Sequence, residues 1–196
     1  TLLASFTCAA GTVTKGMKKV IDDALDFSVK QSMSMFYEMK DQKGILPRTA
    51  ENGKMITCES AWWTSGFYPG TLWYCYEYSN DPQIRAAAEE MTSRVEKQKY
   101  TTSNHDVGFI INCSFGNGYR LTHNETYRKV IETAAKSLST RFHPVTGCTR
   151  SWNSKKWQFS VIIDNMMNLE LLNVASSLTG DNTYYNMAKS HADRTM

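Results

Sequence analysis

Apolar residues recur at intervals of three and four from position 14 to 40 (Met17, Val20, Ile21, Ala24, Leu25, Phe27, Val29, Met33, Phe36, Tyr37), which predicts one long amphipathic helix. Gly44 and Pro47 end it and open an irregular connection through Thr49, Asn52 and Gly53. A second stripe, Leu72, Trp73, Cys75 and Tyr76, predicts a helix that Thr64 or Ser65 could cap. Asn80-Asp81-Pro82 then reads as a turn with proline at a helix start, and 84–99 as a half-solvated helix. Phe109, Ile110 and Cys113 carry the next helix, predicted to end at Gly116 or Gly118, and another runs from Asn124 or Glu125 to about Thr140. The stretch 141–159 has no helical period and holds Pro144, Gly147, Trp152 and Trp157, so it is predicted to be a long loop with short extended pieces near Gly147 and Phe159. Helical patterns at 164–178 and 184–196 complete the series.

These helices repeat in pairs. LTHNETY at Leu121 matches LTGDNTY at Leu178, and Ser79-Asn80-Asp81-Pro82 is a fainter copy. Ahead of each copy, at a nearly constant distance, stand Thr64, Asp106 and Asp164. The recurring unit is a loop, an apolar helix, a tight turn, an amphipathic helix and a long return. A lone helical hairpin buries little and has to stack on its neighbours, which brings the loops to one end of the stack. Trp62, Trp63, His105, Asp106, Trp152 and Asp164 then share a rim.

Composition narrows the picture. Lys and Arg number 22 against 19 Asp and Glu, an excess too small to announce a nucleic-acid surface. The five cysteines, Cys8, Cys58, Cys75, Cys113 and Cys148, contain no CxxC pair, and neither they nor the four histidines have metal-ligand spacing, so free thiols are expected. The start, TLLASFTCAAG, resembles the tail of a processed secretory segment; residues 1–13 are read as such a remnant, the protein as periplasmic or otherwise exported, and Cys8 as a conceivable lipid-bearing position. That stretch is too short to cross a membrane, so no stable membrane insertion is expected. FGNGY at Phe115 lacks the strand and lysine of a phosphate loop and reads as a helix ending.

Asp106 and Asp164 each stand where an extended apolar run becomes helical. A carboxylate at a helix start ordinarily accepts backbone N–H bonds there. Two of them at one rim are also the minimal equipment for acid and base work on a sugar, because like charge and a hydrophobic surrounding can hold a proton on one. His105 can donate to a carboxylate or hydroxyl; Trp62, Trp63, Trp152 and Trp157 can stack on sugar rings. Asn165 can serve the helix start, with Asn168 one turn on and directed at a central cavity. Arg120, Arg150, Lys155 and Lys156 read as surface charges or anion contacts.

Four segments, AWWTSGFYPGTLWYCYE, HDVGFIINCSFGNGYRLTHNETY, SVIIDNMMNLELLNVAS and AKSHADRTM, resemble the unsaturated glucuronyl hydrolases of glycoside hydrolase family 88. The resemblance implies an all-α fold, an (α/α)6 barrel of helical hairpins present as an incomplete N-terminal portion, with 14–196 the first half of one catalytic domain. It implies removal of a 4,5-unsaturated uronic acid from the non-reducing end of lyase-generated chondroitin, hyaluronan or heparin oligosaccharides by hydration of the C4=C5 bond. Asp164 matches the general acid and base, Asp106 the carboxylate that holds the ring, and His105 a substrate-binding histidine. Trp63 and Trp152 match pocket aromatics, and Asn168 joins the expected substrate-binding set. No cofactor and no metal is called for, and the expected partners are the oligosaccharides and the remaining half of the barrel. A related unsaturated rhamnogalacturonyl hydrolase and a non-catalytic helical repeat binding carbohydrate or protein are the alternatives.

Overall fold

The computed structural model describes residues 13–196. Of the reading of 1–13 as a secretory remnant, all but Val13 lies outside the described residues, as does Cys8. The chain runs through α1 (Lys15–Met39), strands β1 (Ile45–Glu51) and β2 (Lys54–Glu59), α2 (Phe67–Ser79), α3 (Pro82–Ser93), α4 (Val107–Ile111), α5 (Asn117–Thr122) and α6 (Glu125–Ser139). It continues through β3 (Phe142–His143), β4 (Cys148–Thr149), α7 (Asn165–Asn168), α8 (Glu170–Thr179) and α9 (Asn182–Thr195). The fold is mostly helical, its helices following one another as hairpins.

The tight turns bear out the repeat atom by atom. Asn80, His123 and Gly180 each take the left-handed conformation that ends α2, α5 and α8. One residue later Asp81, Asn124 and Asp181 accept the N–H of Gln83, Thr126 and Thr183, capping α3, α6 and α9. Ser79, Thr122 and Thr179 complete the motif: each hydroxyl donates to the carbonyl four residues back and accepts the N–H of the capping residue. Short polar side chains thus satisfy the backbone groups that a helix end leaves open.

Several expectations are corrected. The glycines of FGNGY do not stop a helix: α4 passes through a single π turn, Asn112–Gly116, into α5 and ends at His123. Gly118 is small because Tyr127 and Trp73 pack where its side chain would stand. The connection after α1 is a β-hairpin turning at Asn52 and Gly53, both at positive φ, with an irregularity between Pro47 and Thr49. Neither Thr64 nor Ser65 caps α2, which starts at Phe67 after Gly66 and has no side-chain cap.

One core joins Val107, Ile110, Ile111 and Phe115 to Ile131, Leu138, Leu171 and Leu172; a second holds Met39, Leu72, Trp73 and Met91. The Trp73 indole donates to Thr92 Oγ1 at 2.9 Å inside that second core. In contrast, the apolar row of α1 (Met17, Val20, Ile21, Leu25, Phe27) stays exposed. Cys58, Cys75, Cys113 and Cys148 are free thiols. No helix among the described residues is long and apolar enough to cross a membrane.

Candidate active site

Asp106 and Asp164 stand immediately before α4 and α7, and neither caps its helix: both have helical backbone angles and neither side chain takes a capping bond. The capping alternative is thereby removed. The carboxylates instead turn toward one imidazole, with His105 Nε2 3.4 Å from Asp106 Oδ1 and 3.6 Å from Asp164 Oδ2. Both distances exceed a direct hydrogen bond, so the contact is electrostatic and shared. The side chains are 1% exposed for His105, 23% for Asp106 and 36% for Asp164, a graded opening from buried to accessible.

Burial raises Asp106 above the ordinary carboxylate range; His105 opposes this, Asp164 adds to it, and Arg141 opposes it. Arg141, which sequence reasoning did not single out, is a buried cation whose guanidinium donates to the carbonyls of Arg150 at 2.8 Å and Thr102 at 2.6 Å. It ties the long loop to the segment leading into α4 and adds positive charge near Asp106. Nothing local in sequence marks it, because its partners are backbone carbonyls elsewhere in the chain.

The long loop reaches the site through Trp152, whose ring lies edge-on to His105 at 6.1 Å and whose backbone bridges Asn104. Trp63 is held edge-on by Phe67 at 5.7 Å and leans on Phe109, the third residue of α4. Trp62 turns elsewhere, under the Arg48 guanidinium at 4.0 Å, and Trp157 lies beneath Lys156. Arg120 forms a two-pronged pair with Glu77, both bonds 2.6 Å.

Asn168 does not face a cavity, which corrects its assignment to substrate. It is fully buried, its Oδ1 accepts the Phe109 N–H at 2.8 Å, and its Nδ2 donates to the Asp164 carbonyl at 3.3 Å. Asn168 thus bolts the start of α7 to the start of α4. Gly108 makes the approach possible, since a Cβ there would stand 2.5 Å from the Asn168 carbonyl oxygen. Asn165 is also buried, donating to the Thr149 carbonyl at 2.7 Å.

One donor atom each from His105, Asp106 and Asp164 lie within 4.8 Å of one another, close enough to ligate one cation. A separate cleft of about 940 Å³ contains neither carboxylate and follows the inner faces of α2, α5 and α8, past Tyr74, Asn112, Asn117, Glu170 and Asn173.

No protein-family model matches the chain. An unsaturated glucuronyl hydrolase of Formosa agariphila is 46% identical over 137 residues, covering 68% of this chain and 34% of the relative. A solved unsaturated glucuronyl hydrolase specific for heparin superposes with a TM-score of 0.81 at 38% identity, over 89% of this chain and 48% of that one. The chain is a relative of the unsaturated glucuronyl hydrolases. An unsaturated chondroitin disaccharide hydrolase of Streptococcus pyogenes serotype M1 is likewise 34% identical over 178 residues, 87% of this chain and 44% of the relative. The chain spans about half or less of the length of the unsaturated glucuronyl hydrolases and related proteins it matches.

Proposed function

We propose that this chain carries the two-carboxylate part of a glycoside hydrolase that removes 4,5-unsaturated uronic acid from lyase-generated glycosaminoglycan oligosaccharides by hydrating the C4=C5 bond. The observation that carries the reading is the pair of uncapped carboxylates sharing one buried imidazole between two adjacent helix starts. The substrate is a vinyl ether, and its activation needs a proton delivered to C4. Asp164, the more open carboxylate, donates it; C5 gains oxocarbenium character, and Asp164, now ionised, takes a proton from the water that attacks C5. The resulting hemiketal opens to a keto-uronic acid and frees the partner sugar. One group serves both steps.

Asp106 holds the ring by accepting from its hydroxyls, and when ionised its negative charge favours the protonated, proton-donating form of Asp164. Trp152 and Trp63 offer apolar faces for the sugar. The names of the relatives favour a glucuronyl over a rhamnogalacturonyl substrate. We further propose that the remainder of the barrel covers the exposed apolar row of α1 and the cleft along α2, α5 and α8. The share of the relatives that the chain spans supports this, as do those two open surfaces.

The test follows the ultraviolet absorbance of the conjugated C4=C5 bond in unsaturated chondroitin, hyaluronan and heparin disaccharides incubated with a protein of the relatives' full length that contains this sequence. Absorbance is expected to fall, and in heavy-oxygen water the label is expected in the keto-uronic acid. Label at the freed reducing end would instead point to displacement at the anomeric carbon.

A further inference from the structure

Behind the site lies a second, fully buried histidine that the reaction does not use. His191, on α9, accepts the Thr149 backbone N–H on its Nδ1 at 2.9 Å. An imidazole nitrogen that accepts carries no proton, so the proton of neutral His191 is on Nε2, and that N–H is a donor. Burial holds His191 below the ordinary histidine value, which favours its neutral form.

His191 Nε2 is buried and has no hydrogen-bond partner among the described residues, and the same is true of His105 Nδ1, Asn165 Oδ1 and Thr149 Oγ1. All four residues are at most 1% exposed. They converge on one short strand of backbone: the Thr149 N–H donates to His191 and its carbonyl accepts from Asn165 Nδ2, Asn165 Nδ2 also reaches Ser151 Oγ at 3.3 Å, and the Ser151 carbonyl accepts the His105 backbone N–H at 2.8 Å. A donor (His191 Nε2–H), an acceptor (Asn165 Oδ1), and a ring nitrogen and a hydroxyl that can each act as either are the lining a buried water requires.

We infer that a water molecule binds between His191 Nε2, Asn165 Oδ1 and His105 Nδ1, and that His191 through it fixes the tautomer of His105. The water accepts from His191 Nε2–H and donates to His105 Nδ1 and Asn165 Oδ1. His105 then carries its proton on Nε2, the nitrogen that faces Asp106 and Asp164. The opposite tautomer would turn an acceptor lone pair on two carboxylates. His191 is thus a positioning residue for the proposed site, and this inference rests on that reading only for its effect on turnover.

The experiment reads the tautomer directly, by side-chain nitrogen-15 shifts of His105 in the parent, His191→Gln and His191→Phe proteins. Glutamine can accept from Thr149 and donate onward, so His105 is expected to stay protonated on Nε2 in the parent and in His191→Gln. In His191→Phe the Nε2–H signature is expected to be lost or mixed. If hydration activity is present, turnover should fall about 10–100-fold in that variant with little change in KM, the scale at which partners of a functional histidine's second nitrogen act. An unchanged His105 tautomer in folded His191→Phe overturns the inference, whether or not the protein is active. Should His191→Phe not fold, a crystal structure of the parent decides: water density in reach of both imidazoles supports the inference, and a dry gap or a direct contact between the rings overturns it.

Discussion

Each helical hairpin has two ends, and in the two hairpins that follow Asp106 and Asp164 an acidic or amide residue stands just before a helix at both. At the tight-turn end Asp81, Asn124 and Asp181 give their side chains to the backbone. At the loop end Asp106 and Asp164 occupy the same topological position and give nothing to it, because their own helical backbone angles turn the carboxylates away from the N–H groups they precede. The position alone therefore does not decide a residue's use. What decides it is whether the chain arrives extended, as at Asp81, Asn124 and Asp181, or already helical, as at Asp106 and Asp164. The arrival in turn follows from the connection: a short turn pins the residue before it, whereas a long loop is free to hand over a carboxylate to the rim.

The sharpest break of this contrast is Asp164→Asn. If Asp164 carries proton transfer, turnover on unsaturated disaccharides should fall by about 10²–10⁴-fold, the usual worth of a positioned acid or base, while the urea midpoint barely moves. Full turnover in a folded Asp164→Asn protein would return Asp164 to a structural role. Next in size is the bolt between the two site helices. Gly108→Ala drives a methyl into the Asn168 backbone, and overpacking of this kind costs about 1–3 kcal/mol or more. Asn168→Ala leaves the buried Phe109 N–H without its acceptor and should cost about 1–3 kcal/mol. Both variants are expected to lower stability in a urea titration and to lower turnover as well, since they loosen the spacing of the carboxylates. At the other end, Asn124→Ala should cost about 1 kcal/mol of stability and leave turnover alone.

The same division explains what could be read in the sequence. The three turns were legible because every partner lies within four residues, so the Ser/Thr, left-handed and Asp/Asn positions had to recur together. The pairing of Asp106 with Asp164 followed from that repeat. Asn168 was misread because its direction depends on Gly108, sixty residues away and small enough to let the helices touch. The hairpin of β1 and β2 was overlooked although Asn52-Gly53 marks it: most of β1 is exposed and β2 only half-buried, so the apolar alternation that flags a strand is absent. FGNGY reads as a helix ending because glycine commonly terminates helices, whereas Gly118 serves close packing inside one.

The smallest expected effect contrasts the two ends through their pH dependence. Asp106 is raised, chiefly by burial. The native state then binds its proton more tightly than the unfolded chain does, so stability falls as pH rises between the unfolded and folded values, and the loss is complete above the folded one. Asparagine there has nearly the same shape and no charge to bury. Asp106→Asn is expected to unfold at higher urea than the parent at neutral pH, the gap closing as the solution is acidified below about pH 4. Asp181 is lowered by its bonds from Thr183, so its contribution is present above the unfolded value and is lost as pH falls through the folded one. Asp181→Asn should therefore sit at or below the parent at neutral pH and draw level with it on acidification. Opposite signs in the two titrations would support the division between a carboxylate kept from the backbone and one bound to it. Equal signs would mean that Asp106 is stabilised as an ion, and that burial at the rim is not what governs its proton.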